Sequence, residues 1–160
     1  MDKKKQFENE WNLWYHHEKD NWSISGYRKL YTIRNISDFW SLYNNWNKIG
    51  GINYKHLFLM KNDIKPLWED PENINGGCWS YKINDYMINE VWEFLSIYLV
   101  TDNIIKNKDN ICGISICNKK NNNAVVKIWI KLHKNLALLN EDVLKKLGTD
   151  IIYIAHMPNN

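Results

Sequence analysis

Short stretches that either alternate apolar and polar residues or are apolar-rich, with β-branched and aromatic side chains, recur along the chain. They cover Trp11–His17, Tyr27–Ile33, His56–Lys61, Cys78–Ile83, Ile111–Asn118, Ala124–Leu132 and Asp150–His156, and each predicts a strand. Three stretches carry the helical period instead. The first opens at Ser37, with Asp38 in its first turn, and ends before Gly50-Gly51. The second runs from about Asp85 to Val100, with Met87, Val91, Leu95 and Leu99 at i, i+4 spacing and Ile88 and Trp92 beside them, the stripe of a helix lying on a sheet. The third begins near Asn140 with Glu141 and Asp142 at its positive end. It stops at Lys145-Lys146-Leu147-Gly148, where a glycine suits the left-handed cap. The pattern predicts a single α+β domain over residues 9–157, about seven strands with helices on one face, preceded by a polar, frayed tail at residues 1–8.

Composition changes this picture in one direction. Nine Trp and nine Tyr against four Phe in 160 residues exceed what a core of this size needs. They favour rings with a polar handle, suited to stacking on a planar ligand and hydrogen-bonding it as well. A net charge of +3 is too mild for a protein that coats nucleic acid by charge alone and points to a local basic pocket. The N-terminus Met1-Asp2-Lys3-Lys4-Lys5 leads into polar residues with no apolar stretch, so neither a signal peptide nor a membrane span is expected. Three cysteines, Cys78, Cys112 and Cys117, read as small apolar residues in a reducing compartment. Cys112 and Cys117 lie five apart on one expected strand and so should face opposite ways, which argues against zinc.

The candidate chemistry is concentrated in Pro66-Leu67-Trp68-Glu69-Asp70-Pro71, followed by Asn73-Ile74-Asn75-Gly76-Gly77. Proline and glycine mark an ordered loop, which places Trp68 where packing alone would not. A second loop tryptophan, Trp22, lies in the polar run Glu18–Ser23. Two such rings can sandwich one planar base, at roughly 1–3 kcal/mol per stacked face. A guanine methylated at N7 is cationic, which adds a cation–π term, and its N1–H and 2-amino group suit a carboxylate at Glu69. Asp70 reads as the acid that ties the loop down. Trp11, Trp14, Trp79 and Trp92 read as core.

The ordered set Trp11-Asn-Leu-Trp14-Tyr15, Ile36-Ser-Asp-Phe39-Trp40, Pro66-Leu-Trp68-Glu69-Asp70, Asn73-Ile-Asn-Gly76-Gly77-Cys-Trp79, Trp92, Ile111-Cys112-Gly113 and Ile128-Trp129 resembles the cap-binding eukaryotic translation initiation factor 4E family from Trp11 to about Tyr153. The resemblance implies a cupped antiparallel sheet with three helices on its convex face and a slot for the 7-methylguanosine cap of mRNA on the concave one. It assigns Trp22 and Trp68 to the stacking pair, Glu69 to the guanine edge and Trp129 to the N7 methyl. It also places Ile36, Trp40, Phe94 and Ile97 on a dorsal face that docks an initiation scaffold or a binding-protein helix. A cytoplasmic monomer without cofactor or enzymatic activity is implied as well.

The sequence departs from the family at four places. Lys119 stands where relatives carry the main phosphate-binding Arg, with Lys120 beside it, and Lys is a point charge that cannot clamp a phosphate bidentately. Lys127, two residues before Trp129, is expected to share its face and to substitute for a missing second base. The family's apolar-then-acidic pair on the second helix reads Glu93-Phe94, and its His-Pro near the N-terminus reads Lys5-Gln6-Phe7. The family's C-terminal flap has no counterpart up to Asn160, so a more open second-nucleotide side is expected. Two alternatives stand beside an initiation factor. One is a cap-binding repressor or diverted factor with another dorsal partner. The other is a carbohydrate-binding module built on Trp platforms, which leaves Glu69 unexplained.

Overall fold

The computed structural model describes residues 6–48, 56–119, 121–132, 139–148 and 150–157. Seven strands, β1 (Gln6–His16), β2 (Tyr27–Asn35), β3 (His56–Lys61), β4 (Gly77–Asn84), β5 (Ile111–Asn118), β6 (Asn123–Ile130) and β7 (Ile152–Ala155), form one sheet in the order β2-β1-β3-β5-β6-β4-β7. Every pairing is antiparallel. Three helices, α1 (Ile36–Asn44), α2 (Ile88–Val100) and α3 (Glu141–Leu147), complete the domain. The α+β architecture is the one the periodicity implies.

Element boundaries differ from the sequence pattern at several places. β1 reaches back to Gln6, into the stretch expected to be a tail, because Gln6 pairs with Asn35 across the sheet. Its outer half has Phe7 as its single apolar residue and so carries no alternation signal. The second helix begins as a 3-10 turn at Asp85–Met87 and becomes α-helical only at Ile88. Residues 1–5, Gly50, Gly51 and Lys120 lie outside the described residues.

The sheet separates two apolar clusters. On the helical side Trp11, Leu13, Ile33, Leu59, Ile114 and Ile128 meet Phe39 and Leu42 of α1 and Val91, Trp92, Leu95 and Leu99 of α2. On the other face Trp14, Tyr27, Phe58, Met60, Cys78, Cys112 and Trp129 form a smaller floor. Strand alternation divides them, since neighbours along a strand face opposite ways. A bulge between Ile111 and Gly113 breaks that alternation. It carries Cys112 to the floor while Ile111 and Ile114 both face the helices. Cys112 and Cys117 therefore share a face, contrary to the simple period-two reading, because the bulge inserts one residue between them.

α2 lies between the other two helices. Tyr43 of α1 hydrogen-bonds Ser96, and the Trp46 indole N–H donates to Asn89. On the opposite flank Lys146 of α3 pairs with Glu90, and the Tyr98 hydroxyl donates to Asp142. The α3 caps follow the sequence, whereas α1 opens at Ile36, one residue before the expected Ser37, and ends at Asn44. Asn35 accepts from the Asp38 amide at the start of α1, Asn140 accepts from the Asp142 amide at the start of α3, and Gly148 ends α3 at φ +89°.

Candidate ligand slot and dorsal groove

Two loops at one end of the smaller floor raise Trp22 and Trp68 above it. The first joins β1 to β2 and is organised by Asn21. Its side-chain oxygen accepts from the Ser23 amide and hydroxyl, and its amide donates to Glu18 and Ser25. Gly26 closes the loop, since a Cβ there would lie 2.0 Å from the Asn21 carbonyl oxygen. Trp22 at the crown is 56% exposed, a position that packing does not explain.

The second loop joins β3 to β4 and has its own polar core. The Asp70 carboxylate accepts from the Lys65 and Glu72 amides at 3.0 and 2.9 Å, the tying role the sequence suggested. Asn73, fully buried, donates to the Lys65 and Leu67 carbonyls. Leu67 and Ile64 anchor the loop on the floor, so Trp68, 47% exposed, and Glu69 are held outward on a rigid base.

Trp22, Trp68, Glu69, Lys127 and Trp129 line one slot of about 320 Å³, a size that suits a small planar ligand. Trp129, 6% exposed, forms part of the base, where its indole N–H donates to the Ser115 hydroxyl at 3.0 Å. Glu69 has no ion pair or hydrogen bond among the described residues, so its carboxylate is available to a ligand. Burial pushes the Tyr27 phenol up to about 12, with the Glu69 charge adding to the shift. Burial drives His56 down to about 3, helped by His16, Lys127 and Lys119, which leaves it neutral at physiological pH. Burial also raises the Cys78 thiol far above its ordinary range, so it is an apolar wall and no thiolate.

The remaining site residues divide. Lys119 is exposed at the end of β5, where its amide bonds Asn123, and it does not line the slot. Lys120 falls outside the described residues. On the helical side Ile36, Trp40 and Ile97 share a groove of about 190 Å³ with Phe7, Phe39, Val100 and Thr101. Phe94 is elsewhere. It packs on Tyr98, with the Lys146 ammonium 5.6 Å above its ring, because one step along the helix from Glu93 turns it from α1 toward α3.

Sequence reasoning passed over several lining residues: Tyr27, His56, Phe58, Cys78, Ser115 and the β7 group Ile154, Ala155 and His156. Parity with Trp129 through the strand registers would have found Cys78, which is paired directly with it. Ser115 is paired with Lys127 in the same way, whereas Ile154, Ala155 and His156 reach the slot only through the pairing of β7 with β4 and the chain just beyond it.

A curved antiparallel sheet thus presents two exposed tryptophans, an unpaired carboxylate and a buried aromatic floor, an arrangement able to stack a flat ring and hold a positive charge against it. The family model described as eukaryotic initiation factor 4E matches residues 6–160, and the chain belongs to that family. Eukaryotic translation initiation factor 4E-1 of Caenorhabditis elegans is 32% identical over 127 residues, 76% of this chain and 59% of the relative. Eukaryotic translation initiation factor 4E-2 of Arabidopsis thaliana is 32% identical over 134 residues, 81% of this chain and 55% of the relative. The chain thus spans little more than half the length of these curated relatives. Among solved structures, C. elegans eIF4E-3 in complex with the 4E-binding protein Mextli and a cap analog aligns with a TM-score of 0.76 at 27% identity, over 94% of this chain and 92% of that one. The family is one of initiation factors, not of enzymes. Among the described residues no helix is long and apolar enough to cross a membrane.

Proposed function

We propose that this protein binds the 7-methylguanosine cap of mRNA in the cytoplasm and acts in translation initiation. The observation that carries the reading is the convergence of Trp22, Trp68 and the unpaired Glu69 on one slot with Trp129 at its base. The methylated base stacks between Trp22 and Trp68, Glu69 accepts from its N1–H and 2-amino groups, and Trp129 meets the N7 methyl. Stacking is blind to base identity, whereas the carboxylate selects guanine and the aromatic faces select the cation.

Lys127 lines the same slot and is the proposed contact for the phosphate chain. Lys119, exposed nearby, adds charge without a fixed contact. The similarity to a solved complex of eIF4E-3 with Mextli and a cap analog supports both this slot and a helical partner on the dorsal groove. Ile36, Trp40 and Ile97 form that groove, and a monomer is the state in which both faces stay accessible.

A second reading, a repressor or diverted factor, is favoured by Glu93. This acid borders a polar depression with Tyr43, Trp46 and Asn89 next along the α1–α2 surface, so an apolar peptide seated at Trp40 meets charge as it extends. Retention on immobilised 7-methyl-GTP, with release by free 7-methyl-GTP and not by GTP, tests the first proposal. Release by GTP at equal concentration contradicts it. Capture of a Tyr-x-x-x-x-Leu-apolar peptide by the cap-bound protein separates the two readings.

A further inference from the structure

Trp22 has one face already covered. The His16 imidazole lies 4.0 Å from it with the ring planes 17° apart, a parallel stack. His16 ends β1 on the slot side of the sheet, is 9% exposed, and does not itself line the slot. Its Nε2 is 2.8 Å from the Asn21 carbonyl oxygen. A carbonyl only accepts, so Nε2 carries the hydrogen and any further proton goes to Nδ1. The bond ties the imidazole to the same residue that organises the Trp22 loop. A ligand on the free face of Trp22 therefore completes a four-layer stack of His16, Trp22, base and Trp68.

We propose that His16 is a positioning residue for Trp22 and that its charge sets the pH response of the slot toward cationic bases. This rests on the cap-binding reading. Neutral, the ring backs the indole and fixes its plane. Protonated, it draws on the same π-cloud that the methylated base needs and places a second positive charge behind the indole. The groups facing His16 do not offset its charge. They are the Tyr27 phenol, with ring centroids 4.7 Å away, and His56, edge-on at 6.1 Å. Both are neutral between pH 5 and 8, and Lys127 and Lys119 add positive charge at His56. Glu18 reaches the loop only through the Asn21 amide. Like charges separated by two stacking distances across an open, wet slot correspond to about a three- to sixfold loss of affinity.

The test titrates the full chain with 7-methylguanosine, which has no phosphate and so takes the lysines and phosphate ionisation out of the comparison. Wild type, His16→Phe and His16→Ala are measured at pH 8.0 and 5.5. Ligand ionisation is common to all three, so ratios between proteins report the side chain. The expected result is that His16→Ala loses affinity at both pH values and His16→Phe recovers most of that loss. Wild type should then fall about three- to sixfold relative to His16→Phe on going to pH 5.5. Coincident profiles for wild type and His16→Phe overturn the pH role. Tighter binding by His16→Ala puts the imidazole on the ligand's face of Trp22 and overturns the positioning role. Binding by none of the three proteins refutes the slot reading itself, and this proposal with it.

Discussion

Trp68 and Trp40 are almost equally exposed, at 47% and 43%, yet they stand in opposite chemical settings. Trp68 rises from a loop locked by the Asp70 carboxylate and the Asn73 amide, next to an unpaired acid and across a slot that also holds Lys127. Trp40 lies on α1 in a groove lined by Phe7, Ile36, Phe39, Ile97, Val100 and Thr101, with no charged side chain among them. The difference shows what each surface selects. A stacking site needs rings held apart by rigid polar loops and a charge to read the ligand's edge. A helix-docking site needs an apolar strip whose shape is set by the helices that carry it.

The comparison breaks most readily at Trp40. Trp40→Ala should cost about 2–4 kcal/mol in binding a Tyr-x-x-x-x-Leu-apolar peptide, as central aromatic anchors do, and should leave 7-methyl-GTP affinity in place. Calorimetry with each ligand checks both halves, and a parallel loss of cap binding would show that the two faces are coupled. Trp68→Ala is the mirror experiment. It should remove about 1–3 kcal/mol of 7-methyl-GTP binding with peptide binding retained. Glu69→Gln should cost about 1.5–3 kcal/mol, because a charged acceptor is lost, and should narrow the preference for guanine over adenine in methylated nucleotides.

A smaller effect concerns stability and pH. His56 is held at about 3 against an ordinary 6.5, so between those values the unfolded chain binds a proton that the folded one refuses. Stability is full above about pH 6.5 and is lost as pH falls through the window. His56→Phe removes this linkage. Discounting for its partial exposure, wild type should lose about 1–2 kcal/mol more than the variant between pH 7 and 5 in urea denaturation. Equal losses would mean that His56 titrates normally. The smallest effect is expected at Lys127. Lys127→Ala should cost about 1 kcal/mol for 7-methyl-GTP and nothing for 7-methylguanosine, a difference that high salt erases.

The sheet and helices were legible because the strands alternate or run apolar with β-branched and aromatic residues, as β3 does over residues 57–60, and because α2 carries an unbroken apolar stripe. Trp68 and Glu69 were legible because Pro66 and Pro71 bracket them, which marks a structured loop and makes an exposed ring there conspicuous. What stayed hidden depends on contacts between distant segments. His16 gains its place behind Trp22 only through the Asn21 carbonyl bond and the fold of the loop. Ser115 faces the slot through its cross-strand pairing with Lys127, a partner that sequence alone does not name. His156 arrives just past the four-residue strand β7, where its amide donates to the Gly76 carbonyl. Phe94 was misplaced for the opposite reason: its sequence neighbourhood fits the dorsal face, and a helical rotation toward α3 takes it away.

The central claim is that the slot reads methylation and base edge together. Titration of the intrinsic tryptophan fluorescence with 7-methyl-GTP and, separately, with GTP tests it most directly, since Trp22 and Trp68 are themselves the reporters. The account predicts deep, saturable quenching by 7-methyl-GTP and little response to GTP at the same concentrations. Equal responses to the two nucleotides would contradict it.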